Sequence, residues 1–196
     1  VLSSTKIQKG RQIFVRTKSH RMLGRFLADT YLAHAPRRYK HAFLLGCTQP
    51  DKNPATYLKG SLRCQWLRGH NWGNAQRYMH RLARRLEGKP RLKLWDYYNL
   101  GKLIHYTADA FTGPHNDFFS GSIRQHRFYE AQLQCHFLSS IPRGRPITPE
   151  LQAGIMDSIR RFHRQYIHSP VTIGKDCRYS ILATSTVLSI LSPKTA

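Results

Sequence analysis

Between residues 100 and 115 the chain reads Leu-Gly-Lys-Leu-Ile-His-Tyr-Thr-Ala-Asp-Ala-Phe-Thr-Gly-Pro-His. Two patterns are superposed in it. Leu100, Leu103 with Ile104, Thr107 with Ala108, and Phe111 recur at the spacing of one helix face. His105 and Asp109 stand four residues apart, so a helix puts them one above the other on a strip beside that face. Gly113 and Pro114 end the helix, and His115 follows at once on the loop. Two imidazoles and a carboxylate are thus delivered to one helix end, and a borderline cation such as zinc accepts that donor set. A helix edge that happens to carry His and Asp would read the same way, so the rest of the chain must decide.

Helical periodicity recurs on both sides. Toward the N-terminus, Ser19 reads as an N-cap, and Met22, Leu23, Phe26, Leu27 and Tyr31 form a face running to about His34. His20 sits at the first position of that helix. Arg37 to Leu45 reads as a short helix with Gly46 as its C-cap residue. A polar turn from Cys47 to Pro54 follows, carrying Asp51 directly after Pro50. Residues 55–69 read as an irregular connection that ends at His70, at a helix start. Trp72, Ala75, Met79, Leu82 and Leu86 line the next helix, with Arg77, Arg81, Arg84 and Arg85 on its other side.

Toward the C-terminus, Ile123, His126, Glu130, Leu133 and Phe137 define a helix ended before Pro142, and His126 and Glu130 are a second pair four residues apart. A basic loop, Pro142 to Pro146, precedes a helix start at Thr148, Pro149 and Glu150. Leu151, Ile155, Ile159, Phe162 and Tyr166 carry that helix to Ser169-Pro170, and a last helix is expected from about Cys177 to Leu191. No strand alternation, hairpin signal or repeat interrupts this series. The expectation is an all-α protein: a basic N-terminal arm over residues 1–18, then one multi-helix bundle over 19–196 built around a polynuclear zinc site.

With 196 residues and 40% hydrophobic content, the chain can bury a real core. No apolar run reaches the roughly 18 residues that a membrane-crossing helix needs. The nearest stretch, Ser180 to Leu191, is rich in hydroxyls and reads as a buried core helix. No secretory signal is visible, but the chain begins at Val1 without Met, so secreted and cytoplasmic locations stay equally open. Cys47, Cys64, Cys135 and Cys177 show no CxxC spacing, which argues against a zinc ribbon or a dense disulfide framework and leaves one or two bridges open. The charge is lopsided, with 32 Lys and Arg against 10 Asp and Glu, a net of +22. Such a field favours an anionic partner, a membrane surface or a nucleic acid. It also makes each acid at a patterned place informative.

The ordered series is His20, Asp51, His70, His105, Asp109, His115, His126, Glu130. Converging helices that present such groups can build a polynuclear metal site, and such a site suits hydrolysis of a phosphodiester. The run His105-x3-Asp109-x5-His115 followed by His126-x3-Glu130, with His20, the Gly46-to-Asp51 turn and His70 upstream, resembles the zinc-dependent phospholipase C family over roughly residues 19–137. That resemblance implies an all-α bundle around three zinc ions and hydrolysis of phospholipid by a metal-activated water. It implies one zinc on Asp51, His70, His105 and Asp109, and a second on His115, His126 and Glu130. A third would lie on His20 and Asp109, with Asp51 as catalytic base. Related single-strand zinc nucleases carry Asp where this chain has Glu130, so nuclease or nucleotidase activity is the second reading. A basic module that binds nucleic acid or membrane without turnover is the third. Secreted members of the family supply an N-terminal tryptophan to the third zinc. No Trp precedes His20 here, so either two or three ions are expected. His34, His41, His80, His136, His163 and His168 read as structural or surface residues, with His41 the one close enough to Asp51 in sequence to support a ligand.

Overall fold

Residues 94–110 form the axis of the molecule. The computed structural model describes residues 18–140, 154–168 and 170–191, and among them there are seven α-helices and no strand. In chain order they are α1 (18–31), α2 (Arg37–Lys52), α3 (Trp72–Leu86), α4 (Leu94–Ala110), α5 (Ile123–Ser140), α6 (Ile155–Ile167) and α7 (Ile173–Leu191). Short 3-10 turns at Pro54–Leu58 and Gly113–His115 follow α2 and α4. The expected arm over residues 1–18 lies almost wholly outside the described residues, as do the basic loop from Pro142 and the helix start at Thr148 to Glu150.

α4 packs against α2, α3 and α7. From Asn99 to Ala110 nearly every residue is buried, rather than one stripe alone. A helix covered on all sides presents its polar residues to other protein groups and not to water. That is how His105 and Asp109 come to be interior. α7 closes over α4 from one side, and its hydroxyls are absorbed by helix carbonyls: Thr184 donates to Ser180 O, Thr186 to Leu182 O, and Ser180 reaches across to Ala108 O. This is the buried core helix expected from the sequence. It begins at Ile173, four residues before Cys177, because the Thr172 hydroxyl caps the N–H of Lys175.

Gly46 does not end a helix. α2 runs through it and through Pro50 to Lys52. The glycine is there for packing: a Cβ on Gly46 would lie 2.1 Å from Tyr98 O, and one on Gly101 would lie 2.1 Å from Phe43 O. The two helix backbones therefore touch, and only glycine allows it. Pro50 sits in the last turn, where its missing N–H costs one hydrogen bond and the helix closes soon after. Asp51 consequently lies on the final turn of α2, not on a loop. His41 is exposed and ten residues before Asp51 on the same helix, about 15 Å away along the axis, so it supports no ligand. All four cysteines are free, Cys47 and Cys177 buried and Cys64 and Cys135 exposed.

Candidate metal centre

The glycine contact sets up the chemistry one turn away. With α2 drawn onto α4, the carbonyl of Cys47 lies 3.0 Å from His105 Nδ1. A carbonyl only accepts, so Nδ1 carries the proton and Nε2 holds the lone pair. His70 is fixed in the same manner from the other ring nitrogen. Its Nε2 is 3.1 Å from Thr56 Oγ1, and that hydroxyl spends its one proton on the carbonyls of Pro50 and Asn53, each at 2.7 Å. Nε2 of His70 must then be the donor, and Nδ1 holds the lone pair. Those carbonyls are open to Thr56 because they lie at the end of α2, where helix carbonyls lack partners.

The two lone-pair nitrogens point at one carboxylate oxygen. His70 Nδ1 is 2.9 Å and His105 Nε2 3.2 Å from Asp109 Oδ2, and the two nitrogens are 3.1 Å apart. Three lone pairs converge with no proton of their own between them, in a place where His105 is fully buried and Asp109 and His70 nearly so. Such a convergence requires a cation or added protons. The other oxygen, Oδ1, faces His20 Nε2 at 3.1 Å and His115 Nδ1 at 4.0 Å. Asp109 thus sits among four imidazoles. Burial pushes its carboxyl up, but His115, His105 and His20 outweigh that and hold it well below the usual carboxylate range. Burial opposes charge on His105, yet Asp109 and Asp51 outweigh it and lift the imidazole to about 9. For His70 burial wins over Asp109, and its pKa is lowered.

Asp51 Oδ1 stands 3.7 Å from His105 Nε2, while Asp51 Oδ2 is buried with no hydrogen-bond partner among the described residues. Buried polar atoms are almost always satisfied, so this oxygen marks a place for a cation or water. On the far side, His126 Nε2 and Glu130 Oε1 are 2.8 Å apart on α5, and the His115 and His126 rings meet at right angles with centroids 5.1 Å apart. Three groups could each hold an ion: His20 with Asp51 and His105, His70 with His105 and Asp109, which share His105, and His115 with His126 and Glu130, which stands apart. All eight residues singled out in the sequence are therefore brought into these groups. A cavity of about 40 Å³ is lined by His20, Asp51, Asp109, His115 and Glu130, joining the three. It has room for a few water-sized occupants but not for a lipid headgroup.

The residues that position the site were not singled out from sequence. The loop bearing His115 is held from three directions. Asp176 Oδ2 on α7 accepts the Gly113 N–H at 2.8 Å, and Tyr129 and Tyr166 donate to the same carboxylate, each at 2.8 Å. Asn116 donates to Ala110 O and Thr112 O and accepts from His163 Nε2 at 2.7 Å. Thr112 donates to Asp109 O and lies 2.7 Å from His115 Nδ1, which makes Nδ1 the donor and puts the His115 lone pair on Nε2. A signal for Asp176 existed: Thr172 followed by an acid in the first turn is a helix start.

The donor set, imidazoles with carboxylates and no thiolate, is one that zinc accepts and that fits other divalent cations by geometry alone. No helix of the described residues is long and apolar enough to cross a membrane. No curated protein and no solved structure matches the chain. The family model for zinc-dependent phospholipase C matches residues 19–170, most of the chain and all eight of these residues, and the protein belongs to that family.

Proposed function

We propose that the protein hydrolyses a phospholipid on the glycerol side of its phosphate, with two or three zinc ions held by the eight clustered residues. The observation that carries the reading is the meeting of His70 Nδ1, His105 Nε2 and Asp109 Oδ2 within 3.2 Å, with both histidine tautomers fixed so that lone pairs face inward. When bound, zinc supplies Lewis acidity for the phosphoryl oxygens and lowers the pKa of a water. His70, His105, Asp109, Asp51 and His20 would hold the inner ions, and His115, His126 and Glu130 the outer one.

Asp51 is the proton acceptor. Its Oδ1 faces His105, and its Oδ2 has no donor among the described residues, so Oδ2 takes the proton from the attacking water. The water oxygen bonds to phosphorus, the bond from phosphorus to the glycerol oxygen breaks, and the departing diacylglycerol oxygen takes a proton from solvent while Asp51 releases its own, leaving the headgroup phosphate as the second product. The cavity beside Asp51 and Asp109 holds the water, while the lipid body stays outside it.

Zinc per chain should be counted by elemental analysis, and the same sample assayed on phosphatidylcholine, on an anionic phospholipid and on single-stranded DNA. We expect two or three zinc ions and release of diacylglycerol. Asp109→Asn should lose the inner metal and cut turnover about a hundredfold or more. DNA cleavage without lipid turnover would move the protein to the nucleases. A protein without stoichiometric metal would refute the reading.

A further inference from the structure

One loop leaves an unusual amount of apolar surface in water. Residues 57–70 run from the turn beside Thr56 to His70, and the Gly69 N–H donates to Tyr57 O at 2.9 Å, so the ends of the loop close on each other. It is firmly built. Asn74 donates to the carbonyls of Lys59 and Gln65 and accepts from the Gln65 N–H, and the Leu67 N–H donates to Ser61 Oγ. Yet Leu62 is 93% exposed, Trp66 64%, Leu58 52% and Leu67 51%. Leu67 also holds φ at 56°, a left-handed conformation that costs a leucine energy and glycine none. About half of that side chain stays in water all the same.

The loop carries Lys59, Arg63 and Arg68 and no acid. At its base Lys59 lies over the rings of Tyr78 and Tyr106, and burial followed by the neighbouring charges of Lys102 and Arg81 lowers its pKa to about 8. Among the described residues none of these three cations is paired with a carboxylate. The loop is also tied to the metal centre. Tyr57 stacks on His70 with centroids 4.7 Å apart, and Gln65 donates to Asp117, two residues beyond His115.

We propose that the 57–70 loop docks the protein on an anionic lipid bilayer, Arg63 and Arg68 meeting lipid phosphates while Leu62 and Trp66 enter the acyl boundary. Aliphatic side chains beside a tryptophan and arginines are what the headgroup boundary takes up. A nucleic acid could use the Trp66 ring for stacking but gains nothing from exposed leucines. The proposal rests on the phospholipid reading for its purpose, while binding itself requires no turnover.

The test is sedimentation of the full chain with vesicles of phosphatidylcholine, or of equal parts phosphatidylcholine and phosphatidylserine. The wild-type chain should favour the mixed vesicles. Leu62→Ser combined with Trp66→Ala should weaken binding about tenfold or more, with zinc content and thermal midpoint unchanged because both side chains are exposed. Leu67→Gly should weaken binding without lowering the midpoint, since it relieves the left-handed strain. Several results would overturn the proposal: no wild-type binding, equal binding by the double variant, or a self-associated dimer or single-strand complex that the double variant dissolves instead. A chain that binds vesicles through this loop but hydrolyses nothing leaves the docking surface standing and removes the phospholipase reading.

Discussion

The inner and outer halves of the proposed metal centre are built in different ways. The inner half sets buried His70, His105 and Asp109, with half-buried Asp51 and His20, around helices whose backbones touch at Gly46 and Gly101. The orienting partners of its histidines are a main-chain carbonyl and a threonine whose own proton is already committed. The outer half joins a loop histidine to two half-buried residues of α5, a helix that packs chiefly on α7 rather than on α4. Asp51, His105 and Asp109 cannot shift without parting two touching helix backbones, whereas the outer residues are held by side-chain hydrogen bonds and a peripheral helix. The inner cation should therefore bind more tightly and exchange more slowly than the outer one.

Forcing the inner helices apart should have the largest effect. Gly101→Ala places a methyl 2.1 Å from Phe43 O. No rotamer can relieve this, because the neighbour is backbone. We expect a loss of at least about 3 kcal/mol in denaturant unfolding, together with loss of the inner metal as the Cys47 carbonyl leaves His105. Ordinary stability in this variant would show that α2 and α4 are not locked, and the contrast between the halves would fall.

The same contrast explains what could be read from the sequence. His105 with Asp109, and His126 with Glu130, were legible because a helix turns a spacing of four into a shared face, and that holds in any tertiary setting. The helix series was legible for the same reason, from apolar periodicity. Gly46 reads as a C-cap because a glycine after an apolar run signals one locally, and only the facing Gly101, on a distant segment, shows it to be a contact point. Asp51 reads as a turn residue for the same local reason, since Pro50 signals a break and is in fact tolerated in a last turn. Thr56, Asn116 and His163 carry no local pattern. Their roles exist only once separate elements meet.

Loosening the outer half alone should sharpen the comparison. Asp176→Ala removes a carboxylate that now accepts from the Gly113 N–H and from two tyrosine hydroxyls. A methyl group accepts no hydrogen bond. The Gly113 N–H and both tyrosines lose this partner, and the His115 loop loses its hold on α7. Zinc titration against a competing chelator should show the weaker class of site losing affinity about tenfold to a hundredfold, with the tighter class unchanged. An equal loss in both classes would mean that the halves are coupled through Asp109 more strongly than their packing implies.

The smallest effect concerns His163, which holds the outer loop through Asn116 while its ring stacks on Trp72 at 4.0 Å. Burial lowers its pKa from 6.5 to about 4. Between those values the unfolded chain carries a proton that the folded chain does not, so stability falls as pH drops through that window and is fully present above 6.5. Asp176 works the other way. Burial raises its carboxyl from 3.8 to about 6, so the folded chain takes up the extra proton and gains stability on acidification over nearly the same range. The wild-type profile should therefore be flatter than either group alone would make it. His163→Gln removes only the first contribution, and Asp176 cancels in the difference between the two proteins. That difference should shrink between unfolding curves taken at pH 7 and at pH 4. A difference independent of pH would mean that His163 keeps its ordinary protonation, and that Asn116 is held by the loop's own backbone rather than from α6.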